Sequence, residues 1–208
     1  MAEALWRIAA ERGLRAASMR EIAAEAGVSL RAVQYRFPSK HQLLVAALQL
    51  LHEDNERRVA ARLAGSDAAA APRDLLRAIL AEFLPLDESR RMVLRVYEAY
   101  YARSLTDPAL AAVFLRDSHP VEGLVAEIIA KAQRAGMAPP GLDPRHEADL
   151  LVSGVTGLGV EVLHGRCGVA EVWRVIDYHL DRIFNGANGE LTASANSVSF
   201  RANNISQA

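Results

Sequence analysis

The stretch from Ser18 to Lys40, SMREIAAEAGVSLRAVQYRFPSK, constrains the fold more than any other part of this 208-residue chain. Ser18 and Glu21 have the spacing of a capping box, in which a hydroxyl and a carboxylate accept backbone N–H groups at a helix start. Gly27 can adopt the left-handed conformation that ends a helix abruptly, and Ser29 can cap a second helix. The stretch therefore predicts a helix-turn-helix, two short helices joined by a tight turn.

The second helix of this motif has side chains suited to reading DNA. Val33 and Phe37 form its buried side, so the positions between them face outward. Arginine can bind the O6 and N7 atoms of guanine, and glutamine can pair with adenine, so Arg31 and Gln34 suit base contacts in the major groove. Arg36 adds positive charge, and the helix contains no acidic residue.

Lys40 lies in the first turn of the helix that follows, which Ser39 and Gln42 can start with another capping box. A cation at this position opposes the helix dipole. It becomes favourable when a phosphate binds the helix N-terminus, because the backbone amides and the ammonium group then share the anion. The sequence predicts a phosphate contact for Lys40.

In its first 46 residues or so the chain resembles the DNA-binding domain of the tetracycline-repressor (TetR) family. The positions of resemblance are the segment AEALWRIAAERG, then Ser18, Ile22, Ala23, Ala26, Gly27, Val28, Ser29, Val33, Phe37, Ser39, Lys40, Leu43 and Leu44. The resemblance implies an all-helical homodimer that binds a palindromic operator in double-stranded DNA, in most members as a repressor that a small ligand releases. It also implies phosphate contacts for Ser18, Ser29, Tyr35 and Lys40, and groove-facing roles for Arg31 and Gln34.

The charge distribution agrees with DNA binding at the N-terminal end. Residues 1–46 contain seven basic and four acidic residues, whereas the whole chain has a formal net charge of −1. The net positive charge of residues 1–46, on a chain that is otherwise net negative, suggests that only this segment contacts DNA.

Helical periodicity continues along the rest of the chain, without an alternating strand pattern. We predict an all-α fold of about nine helices, with an N-terminal three-helix helix-turn-helix domain and a C-terminal helical domain for ligand binding and dimerisation. The expected divisions are 1–46 for the first, 47–185 for the second, and a disordered tail at 186–208, where few large apolar residues occur. Pro120 should kink or break one helix because proline lacks the amide donor.

The last two predicted helices suggest how two copies assemble. The segment from Leu150 to Leu163 is apolar almost all round, so it must be buried on more than one side. The final helix has a clean apolar stripe. In TetR-like proteins this pair meets its symmetry mate as a four-helix bundle, although an ordinary intrachain core would give the same pattern. The predicted interface residues are Leu151, Val155, Leu158, Val162, Trp173, Ile176 and Leu180.

The middle helices are the predicted site of a small hydrophobic or amphipathic effector. Aromatic walls with a few polar groups are typical of small-molecule pockets, and the break at Pro120 leaves room for a cavity. Core packing is the alternative for each of these side chains. The predicted lining residues are Phe83, Met92, Tyr97, Tyr100, Tyr101, Phe114, His119 and Glu122.

The sequence gives little support to catalysis. The six histidines are scattered without metal-ligand spacing, and the segment GVTGLGVE lies in an apolar helix rather than after a strand, so neither a metal nor another cofactor is expected. Cys167 is the single cysteine, and no apolar run reaches the ~20 residues of a membrane span, so we expect a cytoplasmic protein that does not contact membranes. One alternative is a DNA-binding protein of this fold that has no effector or is controlled by a protein partner. A more remote alternative is an all-helical enzyme.

Overall fold

The computed structural model describes residues 1–65, 71–115 and 120–185. Within these ranges there is no strand, so the predicted all-α fold is confirmed. No helix in the described part is both long and apolar enough to cross a lipid bilayer. In chain order the helices are α1 (Ala2–Ala16), α2 (Met19–Glu25), α3 (Leu30–Arg36), α4 (Lys40–Gly65), α5 (Pro72–Leu80), α6 (Glu88–Ser104), α7 (Pro108–Leu115), α8 (Pro120–Arg134), α9 (Pro144–Leu163) and α10 (Val169–Asn185).

Prolines account for two differences from the predicted helices. The described ranges hold ten α-helices instead of about nine, because Pro120 begins the separate helix α8. Proline suits the first position of a helix, where the backbone N–H has no partner within the helix. The segment PRDLLRAILAEFLP predicts one helix that ends at Pro85, whereas in the structure α5 ends at Leu80 and continues as a 3-10 turn, Ala81–Phe83. The residue before a proline avoids helical geometry, and Leu84 is accordingly extended, with φ −99° and ψ 142°.

Two hydrophobic cores hold the helices together. The first core joins α1, α2 and α3 to the N-terminal half of α4, and it also takes in Val96 and Tyr100 of α6. The second core lies among α5, α8, α9 and α10, with Val59 of α4. Helix α4 therefore runs from one core into the other and connects the helix-turn-helix with the rest of the chain. The predicted tail at 186–208 lies outside the described residues.

An ion-pair cluster fixes α10 against α5. Arg77 Nε donates to Asp177 Oδ1 at 2.8 Å, and Arg73 Nε donates to Asp181 Oδ1 at 2.7 Å. The Arg77 guanidinium also lies 3.9 Å from the centre of the Trp173 ring. The hydrogen bond from Arg77 and the nearby guanidinium groups hold the pKa of Asp177 below its ordinary value.

We expect Asp177→Asn to lower the free energy of unfolding at pH 7 by about 0.5–1 kcal/mol, since the pair is partly exposed to solvent. A depressed carboxylate pKa means that this contribution is present above the pKa of an unfolded aspartate and is lost as the pH falls through the folded value. Urea unfolding at pH 7 and near pH 3 measures the difference between variant and parent. A difference that stays constant over this range would contradict an ionic origin.

Candidate nucleic-acid interface and ligand cavity

Three side chains build the helix-turn-helix as the sequence predicts. Ser18 Oγ accepts the Glu21 N–H at 3.2 Å, and Glu21 Oε2 accepts the Ser18 N–H at 3.1 Å, which completes the capping box. These hydrogen bonds hold the pKa of Glu21 below its ordinary value. Gly27 ends α2 with a φ of +65°, and Ser29 Oγ accepts the Ala32 N–H at 3.1 Å. The turn is therefore fixed by local hydrogen bonds and one glycine conformation.

Helices α2 and α3 pack against each other through small and medium side chains. Ile22, Ala23 and Val33 are buried, and the Val28 N–H donates to the Ala23 carbonyl at 2.9 Å. Two ion pairs then tie α1 to α2: Arg7 with Glu25 at 2.7 Å and Arg12 with Glu21 at 3.1 Å. This packing leaves the opposite side of α3 facing solvent.

The outward side of α3 carries the predicted DNA contacts. Tyr35 is 92% exposed, which is unusual for a tyrosine that has only a structural role. In the described part of the chain, Arg31 and Arg36 form no ion pair with any carboxylate, so their charges are available to a polyanion. The predicted contact residues of α3 and its N-cap are all exposed, as is Ser18 at the start of α2; those of α3 and its N-cap are Ser29, Arg31, Gln34, Tyr35 and Arg36.

Lys40 differs from the other predicted contacts because its ammonium group folds back onto the end of α1. Its Nζ donates to the carbonyl oxygens of Leu14 at 3.1 Å and Arg15 at 3.3 Å. Partial burial and the charge of Arg103 lower the pKa of this lysine. An ammonium group has three N–H donors, so one remains for a phosphate. The carbonyl contacts, from residues about 25 positions earlier, could not be read from the sequence.

A cavity of about 290 Å³ lies in the C-terminal part of the chain, between α4 and the helices α6 to α9. This volume is at the lower end of small-molecule sites, which measure about 300–1,000 Å³. Four of the predicted lining residues border it: Phe83, Tyr97, Phe114 and Glu122.

Three other residues of the predicted lining lie elsewhere in the structure. Tyr100 is fully buried in the first core, and Met92 packs against the same core. Tyr101 is 53% exposed, with its ring against the edge of Phe114. Met92, Tyr100 and Tyr101 therefore do not border this cavity, because helical spacing alone does not say which side of α6 faces it. His119 lies outside the described residues.

Apart from Glu122, the polar residues of the lining were missed by the sequence-based prediction. Helix α4 contributes Gln49, His52, Glu53 and Glu56, spaced as one helix face, together with Asn55. That spacing was the available signal, but an exposed polar face on a long helix has the same pattern. The remaining polar lining residues are Glu82, Arg90 and Thr156.

Three rings meet at the α4 side of the cavity. His52 stacks on Tyr97 with ring centres 5.4 Å apart, and Phe114 packs edge-on against both rings at 5.3 Å. Burial, followed by the nearby charge of Glu122, raises the pKa of Tyr97 to about 12. The Tyr97 hydroxyl is therefore neutral at physiological pH, and the three rings form an aromatic wall of the cavity.

Arg90 and Glu82 form an ion pair in the cavity wall. Arg90 Nη2 donates to Glu82 Oε1 at 3.0 Å, and the Glu82 side chain is only 4% exposed. Arg90 also contacts Asp87 at 3.2 Å. The Arg90 guanidinium thus has two carboxylate partners.

The seven predicted interface residues of α9 and α10 face the protomer's own core. Four of them are buried there, namely Leu151, Val155, Ile176 and Leu180, while Leu158, Val162 and Trp173 are partly buried against it. Because these apolar side chains are already packed within their own chain, they have little surface left to contact a partner subunit. The outer side of the same helices still exposes Leu150, Val175 and Tyr178.

Comparison with known proteins gives consistent results along the chain. Residues 2–47 match the family "Bacterial regulatory proteins, tetR family", and residues 72–185 match "BetI-type transcriptional repressor, C-terminal". The HTH-type transcriptional regulator PksA of Bacillus subtilis (strain 168) is 30% identical over 190 residues, which cover 88% of this chain and 87% of that protein.

Solved structures of regulators have the same fold. A transcriptional regulator from Rhodococcus sp. Rha1 superposes with a TM-score of 0.74 at 29% identity, covering 91% of this chain and 96% of its own. A protein of Saccharomonospora viridis, assigned as a transcriptional regulator and solved in complex with choline, gives a TM-score of 0.74 at 27% identity. That match covers 86% of this chain and 91% of the relative.

Proposed function

Because the chain belongs to the TetR family of transcriptional regulators, we propose that this DNA-binding protein is a homodimeric repressor, released from a palindromic operator by a small molecule. Residues 1–46 would form the DNA-binding domain and 47–185 the regulatory and dimerisation domain. Helix α3 would enter the major groove, with Arg31 and Gln34 towards base edges. Ser18, Ser29, Tyr35, Arg36 and Lys40 would contact the phosphate backbone.

The continuity of α4 is the observation that supports this proposal most. Lys40, at its N-terminus, follows the short turn after α3 and contacts the end of α1. Two to three turns later, Gln49 and His52 of the same helix border the cavity. A ligand that shifts α4 at the cavity would therefore move the helix-turn-helix and change the separation of the two α3 helices in a dimer.

Linkage gives the experiment that tests effector release. If a ligand lowers operator affinity by some factor, operator DNA must lower the affinity for that ligand by the same factor. Small molecules that raise the melting temperature of the protein are candidate effectors. Calorimetry then measures the affinity for the ligand with and without operator DNA, and the affinity for operator DNA with and without the ligand. If the ligand and the operator lower each other's affinity by the same factor, the result supports effector release. Ligands that fill the cavity and leave operator affinity unchanged would contradict it and favour control by a protein partner.

Lys40 provides a test of the phosphate contacts. We expect Lys40→Ala to weaken binding to operator and random duplexes alike and to reduce the salt dependence of binding by about one counterion per subunit. Stability should also fall by about 1 kcal/mol, because the carbonyls at the end of α1 lose their donor. Anisotropy titrations at several salt concentrations measure the slope, with exposed Lys131→Ala as control. An unchanged slope would show that Lys40 only caps α1.

The proposed dimer uses the outer side of α9 and α10. Leu150 is 59% exposed, Tyr178 62% and Val175 39%, and these helices also present Gly154 and Gly157, where an added Cβ would meet no atom within 4 Å. Small residues on a helix permit close approach of a second helix. Two copies related by a two-fold axis would cover this apolar surface and set the spacing of the two α3 helices at about 34 Å or a multiple of it.

Charge introduced at this surface tests the dimer. We expect Val175→Asp and Tyr178→Asp each to weaken self-association by about tenfold or more, because a carboxylate would be buried in an apolar contact. Sedimentation velocity over a range of protein concentrations measures the effect. The matched control is Leu105→Asp, which changes a residue that is 76% exposed at the end of α6, outside α9 and α10. If all three variants associate like the parent chain, the interface lies elsewhere.

A further inference from the structure

We propose that Asp107 holds the DNA-binding end of α4 in place through an ion pair with protonated His41, so that operator binding is linked to the uptake of a proton. This inference rests on the proposed function, because it concerns how the regulatory helices position the helix-turn-helix for DNA. Four observations support it: the contacts of Asp107, its connection to the cavity, the charges around His41, and two buried polar atoms in the first core.

Asp107 lies at the corner between α6 and α7 and contacts three parts of the chain. Its Oδ2 atom is 3.4 Å from Nδ1 of His41, in the first turn of α4, and 3.7 Å from Nε of Arg103, in the last turn of α6. Its Oδ1 atom accepts the Leu110 N–H at 3.4 Å and thereby caps α7. The Asp107 side chain is only 13% exposed. One carboxylate therefore joins the start of α4, the end of α6 and the start of α7.

Helix α7 connects this corner with the cavity. Phe114 borders the cavity and lies about two helical turns after Asp107, and α7 packs against both α4 and α6. Leu110, between them, is fully buried in the first core. A shift of Phe114 at the cavity would therefore move Asp107 and change its contact with His41. This connection to the helix-turn-helix is additional to the one along α4.

The cations around His41 oppose its protonation. Lys40 precedes it in the chain, and Arg103 lies across the corner. Burial, followed by the charge of Arg103, lowers the pKa of Lys40, so these two cations are near each other. A further positive charge in the first turn of α4 also meets the positive end of the helix dipole. Protonated His41 is therefore favoured only with a carboxylate beside it.

Asp107 is that carboxylate. In the described part of the chain, it is the one acidic residue that forms an ion pair with His41. Helix α7 contributes no titratable side chain, and Glu21 of α2 acts on Lys40 instead. Among the described residues, none of the charged side chains of α1 forms an ion pair with His41 or Asp107. Loss of the Asp107 charge would thus leave three neighbouring cations without a balancing anion at this corner.

Two buried polar atoms make the docking of the helix-turn-helix against α6 marginal. Tyr100 of α6 is fully buried in the first core, and Trp6 of α1 packs against the same core. Neither the Tyr100 hydroxyl nor Nε1 of Trp6 has a hydrogen-bond partner within the described part of the chain. Burial of such groups without a partner opposes packing. An ion pair of ordinary strength can therefore change the fraction of chains in which α1 and α4 are docked for DNA binding.

Operator affinity should consequently depend on pH. Histidine side chains change their charge between about pH 5 and 8, so a rise in pH removes the charge that pairs with Asp107. The docked arrangement then becomes less populated, and operator affinity falls. We expect the affinity of the dimer to be about tenfold lower at pH 8 than at pH 6, which is about threefold for each partly exposed ion pair. The salt dependence should be equal at both pH values, because His41 neutralises no phosphate.

Three variants test this link on the inverted-repeat duplex that selection from random DNA recovers. Anisotropy titrations at pH 6 and pH 8 measure operator affinity. His41→Gln and Asp107→Asn should each bind like the parent chain at pH 8 and change by no more than about twofold between the two pH values. Asparagine can still cap α7, so Asp107→Asn removes the charge and keeps the cap.

Asp143→Asn is the matched control. Asp143 caps α9 and lies 3.5 Å from a histidine, His146, as Asp107 does at the corner, but it contacts no part of the helix-turn-helix. This variant should keep the full pH dependence of the parent chain. Circular dichroism confirms that each variant is folded.

The outcomes separate the ion pair from other roles of these residues. Full pH dependence in Asp107→Asn, or a steeper salt slope at pH 6, would show that His41 contacts a phosphate directly and would overturn the inference. Equal operator affinity of the parent chain at pH 6 and pH 8 would overturn it too. Lower stability of Asp107→Asn with an unchanged pH profile would show that Asp107 only caps α7.

A measurement without DNA distinguishes failure of this inference from failure of the proposed function. In urea unfolding at pH 6, the midpoint shifts of His41→Gln and Asp107→Asn should not add in the double variant, whereas at pH 8 they should add. If no duplex is bound selectively, the proposed function fails, and this cycle still shows whether the ion pair forms. Additive shifts at both pH values would overturn the inference even where operator binding is established.

Discussion

Replacing Arg31 by alanine is expected to weaken operator binding by about 1–3 kcal/mol for each half-site, and hence by about 2–6 kcal/mol for a dimer on a palindrome. Arg31 is exposed at the start of α3 and, in the described part of the chain, forms no ion pair that would hold it away from DNA. A bidentate contact to guanine would be lost in both subunits. The preference at one base position in each half-site should relax, whereas binding to random duplexes should fall much less.

Anisotropy titrations with the operator, with single-base variants of it and with random duplexes measure this difference. Arg95→Ala is the control, because Arg95 is an exposed arginine on α6 that is paired with Glu88 at 3.6 Å. It should bind every duplex as the parent chain does. If Arg31→Ala instead weakens operator and random DNA equally and lowers the salt slope, Arg31 contacts phosphate and another residue reads the base.

Gly159→Val is expected to lower the free energy of unfolding by about 3 kcal/mol, although glycine is normally a poor residue inside a helix. A Cβ at position 159 would lie 3.0 Å from the carbonyl oxygen of Phe83 and 3.2 Å from Cδ2 of Leu94. Helix α9 therefore packs against the turn after α5 more closely than a side chain at position 159 would normally permit. Because Phe83 and Leu94 border the cavity, ligand affinity should fall as well.

Chemical denaturation and ligand calorimetry on the same samples test both parts of this expectation. Gly123→Val is the matched control, since that glycine is exposed in α8 and an added Cβ would meet no atom within 4 Å. Its free energy of unfolding should change by no more than about 0.5 kcal/mol. Equal stability of Gly159→Val and the parent chain would show that α9 can move away from the Phe83 turn at little cost.

Local hydrogen bonding explains why the helix-turn-helix could be predicted from sequence. The hydroxyls of Ser18 and Ser29 bond to amides three residues away, and Gly27 adopts its left-handed conformation irrespective of distant contacts. Pro72 and Pro120 likewise mark helix starts through the geometry of their own rings. Signals of this kind are complete within a few residues of sequence.

The cavity and the outer surface of α9 and α10 depend on how the helices are rotated against one another. Tyr97 and Tyr100 are one helical turn apart on α6, but Tyr97 borders the cavity and Tyr100 is buried in the first core. Val172 and Val175 are similarly close on α10, yet one is buried and the other exposed. Spacing shows that an apolar face exists, whereas tertiary packing decides what it contacts.

Polar residues of the cavity were hidden for a different reason. Glu53 and Glu56 resemble the solvated face of a long helix, and only the folded arrangement shows that they border the same cavity as Tyr97 and Glu122. The carbonyl contacts of Lys40 likewise join positions that are distant in the sequence. Such pairs belong to the folded arrangement and not to any short segment.

Selection of bound duplexes from a random DNA pool, repeated at low and high salt, tests the central claim most directly. The proposed function predicts enrichment of an inverted repeat whose half-sites lie about one helical turn apart or a multiple of it, with affinity that falls steeply as salt rises. A folded protein that enriches no sequence at either salt concentration would contradict operator recognition by α3.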